Sequence, residues 1–108
     1  MDELVARLST GDHRVEASLR PEKTVKALKE CIDRGYVNIK FTDTKGGTDL
    51  GFKLDRDGSD LSKANFDLES GNCRLVGNLT LNYVKVQCIA DLDLKTLDGK
   101  GHLIPLES

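Results

Sequence analysis

Residues 73–94 read CRLVGNLTLNYVKVQCIADLDL, and their alternation decides how the rest of the chain is organised. Cys73, Leu75, Gly77, Leu79 and Leu81 share one parity, whereas Val84, Val86, Cys88, Ala90, Leu92 and Leu94 share the other. Side chains alternate across a strand, so a period of two in each half marks two strands. The switch between Leu81 and Val84 predicts a tight turn at Asn82-Tyr83, although Gly is favoured at the second turn position. A bulge in one long bent strand would switch parity as well. The hairpin is preferred because it gathers every apolar residue on one face. Its register sets Leu81 against Val84, Leu79 against Val86, Gly77 against Cys88 and Leu75 against Ala90. On the other face Arg74 meets Asp91, Asn72 meets Asp93 and Val76 meets Ile89. Asp91 and Asp93 are then read as cross-strand partners on a solvated face rather than as an acid/base pair.

The remaining segments pair with this hairpin or cover it. Val37, Ile39 and Phe41 alternate, and so do Leu50, Phe52 and Leu54. A turn at Thr44–Gly47 between them predicts Phe41 against Leu50, Ile39 against Phe52 and Val37 against Leu54. His13 to Arg20 reads as a first strand with Val15, Ala17 and Leu19 inward. Ala64, Phe66 and Leu68 predict a short strand. A Ser70-Gly71 turn then places Leu68 against Cys73 and Phe66 against Leu75. Asp98-Gly99 is a turn signal that returns residues 100–106, with Leu103 against Leu94 and Pro105 against Leu92. Pro105 marks an edge strand or the end of a sheet.

Two helices complete the pattern. Residues 21–34 begin with Pro21, whose missing N–H suits the first helical position. Val25, Leu28 and Ile32 form its apolar stripe beside Cys31, and Gly35 stops it. The lysines at 23, 26 and 29 do not read as a phosphate site. Glu22 precedes Lys26 by four and Glu30 precedes Arg34 by four, the spacing of solvated ion pairs. Residues 2–8 predict a short helix capped by Asp2, with Leu4, Val5 and Leu8 on one side. The expectation is an α+β fold: a mostly antiparallel, strongly curved sheet or incomplete β-barrel of about six or seven strands. The 21–34 helix covers one face or end.

Composition narrows the function classes. The 108 residues suit one globular domain, residues 1–108, with 31% charged and 38% hydrophobic side chains. Net charge is -2 and no basic block occurs, which argues against nucleic acid as a partner. Apolar runs fall far short of the roughly 20 residues that cross a bilayer, so no membrane partner is expected. The start MDELVARL lacks the basic segment and apolar core of a secretory signal. With three cysteines, an odd number, this predicts free thiols and a cytoplasmic location.

No constellation of reactive side chains emerges. Asp55-Arg56-Asp57-Gly58-Ser59-Asp60 is oxygen-rich, but an EF-hand needs Gly at its sixth position and Glu at its twelfth. Here Gly58 is fourth and Phe66 twelfth, so no metal site is assigned. Gly46-Gly47 lacks the Lys-Ser/Thr and helix start of a phosphate loop. His13 and His102 fall at strand ends, and Cys73 and Cys88 are too far out of register to bridge. No catalytic residue and no cofactor are expected.

Val76, Ile89, Leu97, Ile104 and Leu106 fall on the parity that should face water. Either the N-terminal helix covers them or they form an apolar interface for a protein partner or a homodimer. The reading reached is a non-enzymatic interaction module. A second reading is a small barrel binding a hydrophobic ligand in a cavity lined by Phe41, Phe52, Phe66, Leu79 and Val86. An enzyme comes third.

Overall fold

The computed structural model describes residues 2–19 and 22–106. In chain order the elements are α1 (Glu3–Leu8), β1 (His13–Ala17), α2 (Val25–Arg34), β2 (Tyr36–Phe41), β3 (Thr48–Leu54), β4 (Ala64–Asn65), β5 (Ser70–Leu81), β6 (Val84–Asp93) and β7 (Asp98–Pro105). The strands are antiparallel in the order β3-β2-β1-β7-β6-β5-β4, and β3 also pairs with β5. That last ladder closes β1, β2, β3, β5, β6 and β7 into a six-stranded barrel, with β4 as an extra strand beside β5. The fold is α+β.

The β5–β6 hairpin has the register its parity dictates, from Asn72 against Asp93 to Leu81 against Val84. Asn82 and Tyr83 sit at φ 49° and 69°, so both turn residues are left-handed. That geometry matches the twist of the strands it joins. Inward positions fill the barrel: Val15, Ile39, Phe41, Phe52, Leu75, Val86, Cys88, Ala90, Leu92 and Leu103 are all fully buried.

Each helix stops one end. Val5 and Leu8 of α1 are completely buried in the barrel core. The Asp2 side chain caps α1 by accepting the Leu4 and Val5 N–H groups at 2.9 and 3.1 Å. It also takes the Asn82 amide at 3.1 Å, and Arg7 donates to the Asp43 carbonyl at 3.2 Å. α1 therefore lies across the end where the β5–β6 turn and the β2–β3 loop emerge. The Asn82 amide, with the capped N–H groups, holds the Asp2 carboxyl below the ordinary carboxylate range. At the opposite end α2 buries Val25, Leu28 and Ile32, and Arg56 donates to the Ile32 carbonyl at 2.8 Å.

Several boundaries differ from the sequence reading, and β1 already ends at Ala17. The 21–34 helix starts at Val25, because Thr24 is extended (φ -134°) and its hydroxyl accepts the Ala27 N–H at 3.1 Å. Arg20 and Pro21 lie outside the described residues. The β2–β3 ladder pairs Phe41 with Thr48, Ile39 with Leu50 and Val37 with Phe52. Its loop runs over residues 42–47, anchored by buried Thr44, whose hydroxyl lies 2.8 Å from that of Thr48. The β4–β5 connection turns at residues 66–69, so Ala64 pairs with Gly71 and Asn65 with Ser70. There the Asn65 side chain accepts the Leu68 N–H at 3.0 Å and Glu69 takes a left-handed φ of 52°.

The β6–β7 connection also turns early, at residues 94–97. The Leu97 N–H donates to the Asp93 carbonyl at 2.7 Å, and Asp93 faces Asp98. Cys88 consequently faces Leu103 and Val86 faces Pro105. Gly99 is a ladder residue opposite Leu92, where a Cβ would stand 1.9 Å from the Asp91 carbonyl oxygen. The glycine permits close strand approach rather than a turn. Pro105 does stand at a sheet end, since β1 pairs with β7 no further than His13 against Gly101.

Candidate functional site

An open groove of about 630 Å³ lies on the outer face of β5, β6 and β7. Strand alternation sends Asn72, Arg74, Asp91, Asp93, Asp98 and Lys100 outward onto this face. Cys73, Leu92 and Gly99 contribute to the floor between them, and Asp12, Asp60 and Lys63 stand at the rim. Asp12, Asp60, Asp91, Asp93 and Asp98 outnumber Lys63, Arg74 and Lys100, so the groove carries net negative charge. At its centre Arg74 grips Asp91 in a fork, Nε to Oδ1 at 2.8 Å and Nη2 to Oδ2 at 3.2 Å. The Asp91 carboxylate drives the guanidinium further above its ordinary range.

The 55–63 segment walls the groove because its polar groups are consumed in holding it there. Asp60 and Arg74 exchange backbone bonds at 2.9 and 2.8 Å. The Asp55 N–H donates to the Val76 carbonyl at 2.7 Å, and the Val76 N–H donates to the Ser59 hydroxyl at 2.9 Å. Asp55 Oδ1 accepts the Asp57 and Gly58 N–H groups at 3.1 and 3.3 Å. The Ser62 hydroxyl and N–H hold the Asp60 carboxyl below its ordinary range. These are turn-forming roles. Among the described residues no three His, Cys, Asp or Glu side chains converge as metal ligands.

The five residues expected to form an outer apolar patch separate. Val76 is buried beneath the 55–60 loop, and Leu97 turns into the core at the β6–β7 connection. Ile89 and Leu106 are half-buried, and only Ile104 is exposed, at 39%. What remains is a narrow stripe in which Ile89 faces His102 and Gln87 faces Ile104. α1 does not cover this stripe, because its apolar side chains point into the barrel end. Sequence reasoning missed Tyr83, which is fully exposed at the hairpin tip, and Leu68, exposed on the β4–β5 turn. The turn positions themselves were the available signal, since a side chain there points away from every sheet face.

The residues expected to line a ligand cavity also divide. Phe41, Phe52 and Val86 are fully buried within the core they compose, while Phe66 and Leu79 are partly buried at its margin. Leu79 borders a second open depression of about 220 Å³ with Asn78, Thr80, Lys85 and Leu106.

The thiols are free. Burial, with a smaller effect from Asp91, pushes the Cys73 thiol up to about 11. Burial alone pushes Cys88 to about 12. A thiol must ionise to act as a nucleophile, and burial opposes that at both positions. His13 is occupied structurally: Nδ1 lies 2.9 Å from Asp43 Oδ2 and Nε2 lies 3.0 Å from the Thr10 carbonyl. His102 Nδ1 lies 3.4 Å from Asp12 Oδ1.

No family model matches the chain, and no curated protein matches it either. Among the described residues no helix is long and apolar enough to cross a membrane.

Proposed function

We propose that this chain is a small, non-enzymatic interaction module that docks a protein partner on the outer face of β5, β6 and β7. The observation that carries the proposal is the groove walled by the 55–63 segment, with its net negative lining and the Ile89–Ile104–Leu106 stripe alongside. A charged rim beside an apolar strip is the usual make-up of a protein-binding surface. The partner is a protein with a complementary, predominantly basic surface. Self-association through the stripe is a weaker reading, because the burial of Val76 and Leu97 leaves little apolar area. The hydrophobic-ligand reading is less favoured still, since the barrel interior is occupied by its own phenylalanines. Three free thiols support a reducing, cytoplasmic setting.

The test is native mass spectrometry of the protein purified gently from its own cells, with Ile89→Lys/Ile104→Asp as the control variant. A protein complex that disappears in the variant, with unfolding temperature unchanged, is the expected result. A bare monomer, or a small-molecule adduct retained by the variant, would overturn the reading.

A further inference from the structure

Barrel closure is uneven. The β5–β6 ladder runs from Asn72 to Leu81, whereas β3 meets β5 only through Lys53 against Asn78 and Leu54 against Gly77. Continuing that register would place Gly51 against Thr80, but the ladder stops short of them.

Main-chain groups along an antiparallel strand point alternately to its two neighbours. On β5, Arg74 and Val76 direct theirs away from β6, toward Asp60, Ser59 and Asp55. Asn78 and Thr80 therefore direct theirs the same way, toward β3. On β3, the Leu54 N–H donates to the Gly35 carbonyl at 2.8 Å on the β2 side. Asp49, Gly51 and Lys53 therefore face β5. Lys53 and Asn78 meet each other. Beyond them, Asp49 and Gly51 on one side and Thr80 on the other present N–H and C=O groups with no ladder partner. Leu79 and Leu81 are half-buried along the same opening.

β7 also outruns its neighbour, and there the chain protects itself. Leu103 and Pro105 extend past the last β1 pair, His13 against Gly101. Pro105 has no N–H to offer, and α1 packs against β7. The β3–β5 seam has neither device.

We propose that the β3–β5 seam is a strand-accepting edge that takes an extended segment of another protein. Only a second backbone supplies donors and acceptors in series at the spacing of Gly51 and Thr80, which is recognition by strand addition. Apolar side chains at alternate positions of the inserted segment would meet Leu79 and Leu81. A second copy of this chain is a poor donor, because no described strand longer than β4 is free along its whole length, and β4 has only two residues. This site is separate from the outer-face groove and does not depend on it.

The probe is a blocked peptide of about six residues, a usual strand length, alternating valine and threonine between lysine ends. It is titrated into the ¹⁵N-labelled full chain. Amide shifts at Asp49, Gly51 and Thr80, with slowed exchange of the Gly51 and Thr80 amides, are expected. Thr80→Pro removes the seam-facing N–H and should weaken binding about tenfold, the upper end for one net hydrogen bond. Ile89→Lys/Ile104→Asp should bind the peptide as wild type does. Shifts confined to β6 and β7, no shift at all, or equal affinity in a natively folded Thr80→Pro would overturn the proposal. So would concentration-dependent dimerisation through the same amides. Should Thr80→Pro fail to fold, the free wild type decides: Gly51 and Thr80 amides as protected as Asn78 would overturn it.

Discussion

Gly77→Ala should strike the barrel at its shortest ladder. A Cβ at Gly77 would stand 2.2 Å from Phe52 Cδ2 and 2.4 Å from the Lys53 carbonyl oxygen. Ordinary Cβ contacts begin at 3.4 Å, so each neighbour must retreat by about an ångström. The Phe52 ring is 1% exposed and fills the core, which leaves it no free space. Lys53 cannot move without parting from Asn78, its partner in one of the two pairs that close the barrel. Overpacking a filled interior costs about 1–3 kcal/mol, and the immobility of both neighbours puts this case near 3. A domain of this size loses about 4 °C per kcal/mol, so the unfolding midpoint should fall by roughly 12 °C. Thermal unfolding followed by circular dichroism reads that directly. Phe52→Leu in the Gly77→Ala background should recover part of the loss, giving a coupling of about 1 kcal/mol or more in a double-mutant cycle. A midpoint within two or so degrees of wild type, or strict additivity of the two substitutions, would refute this account of the seam.

Tyr83→Gly should stabilise the β5–β6 hairpin. The residue holds φ 69° with its ring fully exposed, so a left-handed strain of about 1–2 kcal/mol is relieved, offset by about 0.5–1 kcal/mol of glycine entropy. A lower urea midpoint would contradict the turn geometry. The thiols should separate cleanly at pH 8 with a disulfide-exchange reagent. Cys31, half-buried on α2, reacts in the native protein, while Cys73 and Cys88 react only in denaturant. Because folding raises both buried thiols from about 9 to about 11 and 12, their contribution is complete below pH 9 and fades as pH rises toward 12. Stability in Cys88→Ala should therefore decline less steeply above pH 9. Equal slopes would show that Cys88 ionises in place.

The inward faces were legible in the sequence, and the turns between them only in part. Asn82-Tyr83 is so short that the parity switch admits one register, and that hairpin is as expected. Elsewhere the slips are even: Ile39 meets Leu50 instead of Phe52, and Leu103 meets Cys88 instead of Leu94. An even slip leaves every apolar residue facing inward, so hydrophobic alternation is blind to it. Asp98-Gly99 misled because its glycine answers to the Asp91 carbonyl across the ladder, a contact with no local signature. Val76 and Leu97 fall on the outward parity yet are buried, for a related reason. A loop bound through main-chain atoms covers one, and a left-handed turn rotates the other inward; neither leaves a periodic trace. The groove combines outward residues from three strands with Asp12, Asp60 and Lys63 from the connections between elements, so no single stretch of sequence displays it.

The ladder joining His13–Glu16 of β1 to Asp98–Gly101 of β7 has a consequence for synthesis. β1 leaves the ribosome before β7 and must wait for it before its second edge is satisfied. At about 5–20 residues per second that interval is on the order of several seconds, longer than hairpin formation by about six orders of magnitude. During it β1 holds β2 on one side and nothing on the other, while Val15 and Ala17 have no opposite wall to pack against. The nascent chain should therefore be a chaperone client until β7 emerges, and its refolding in vitro should be limited by this one end-to-end pairing.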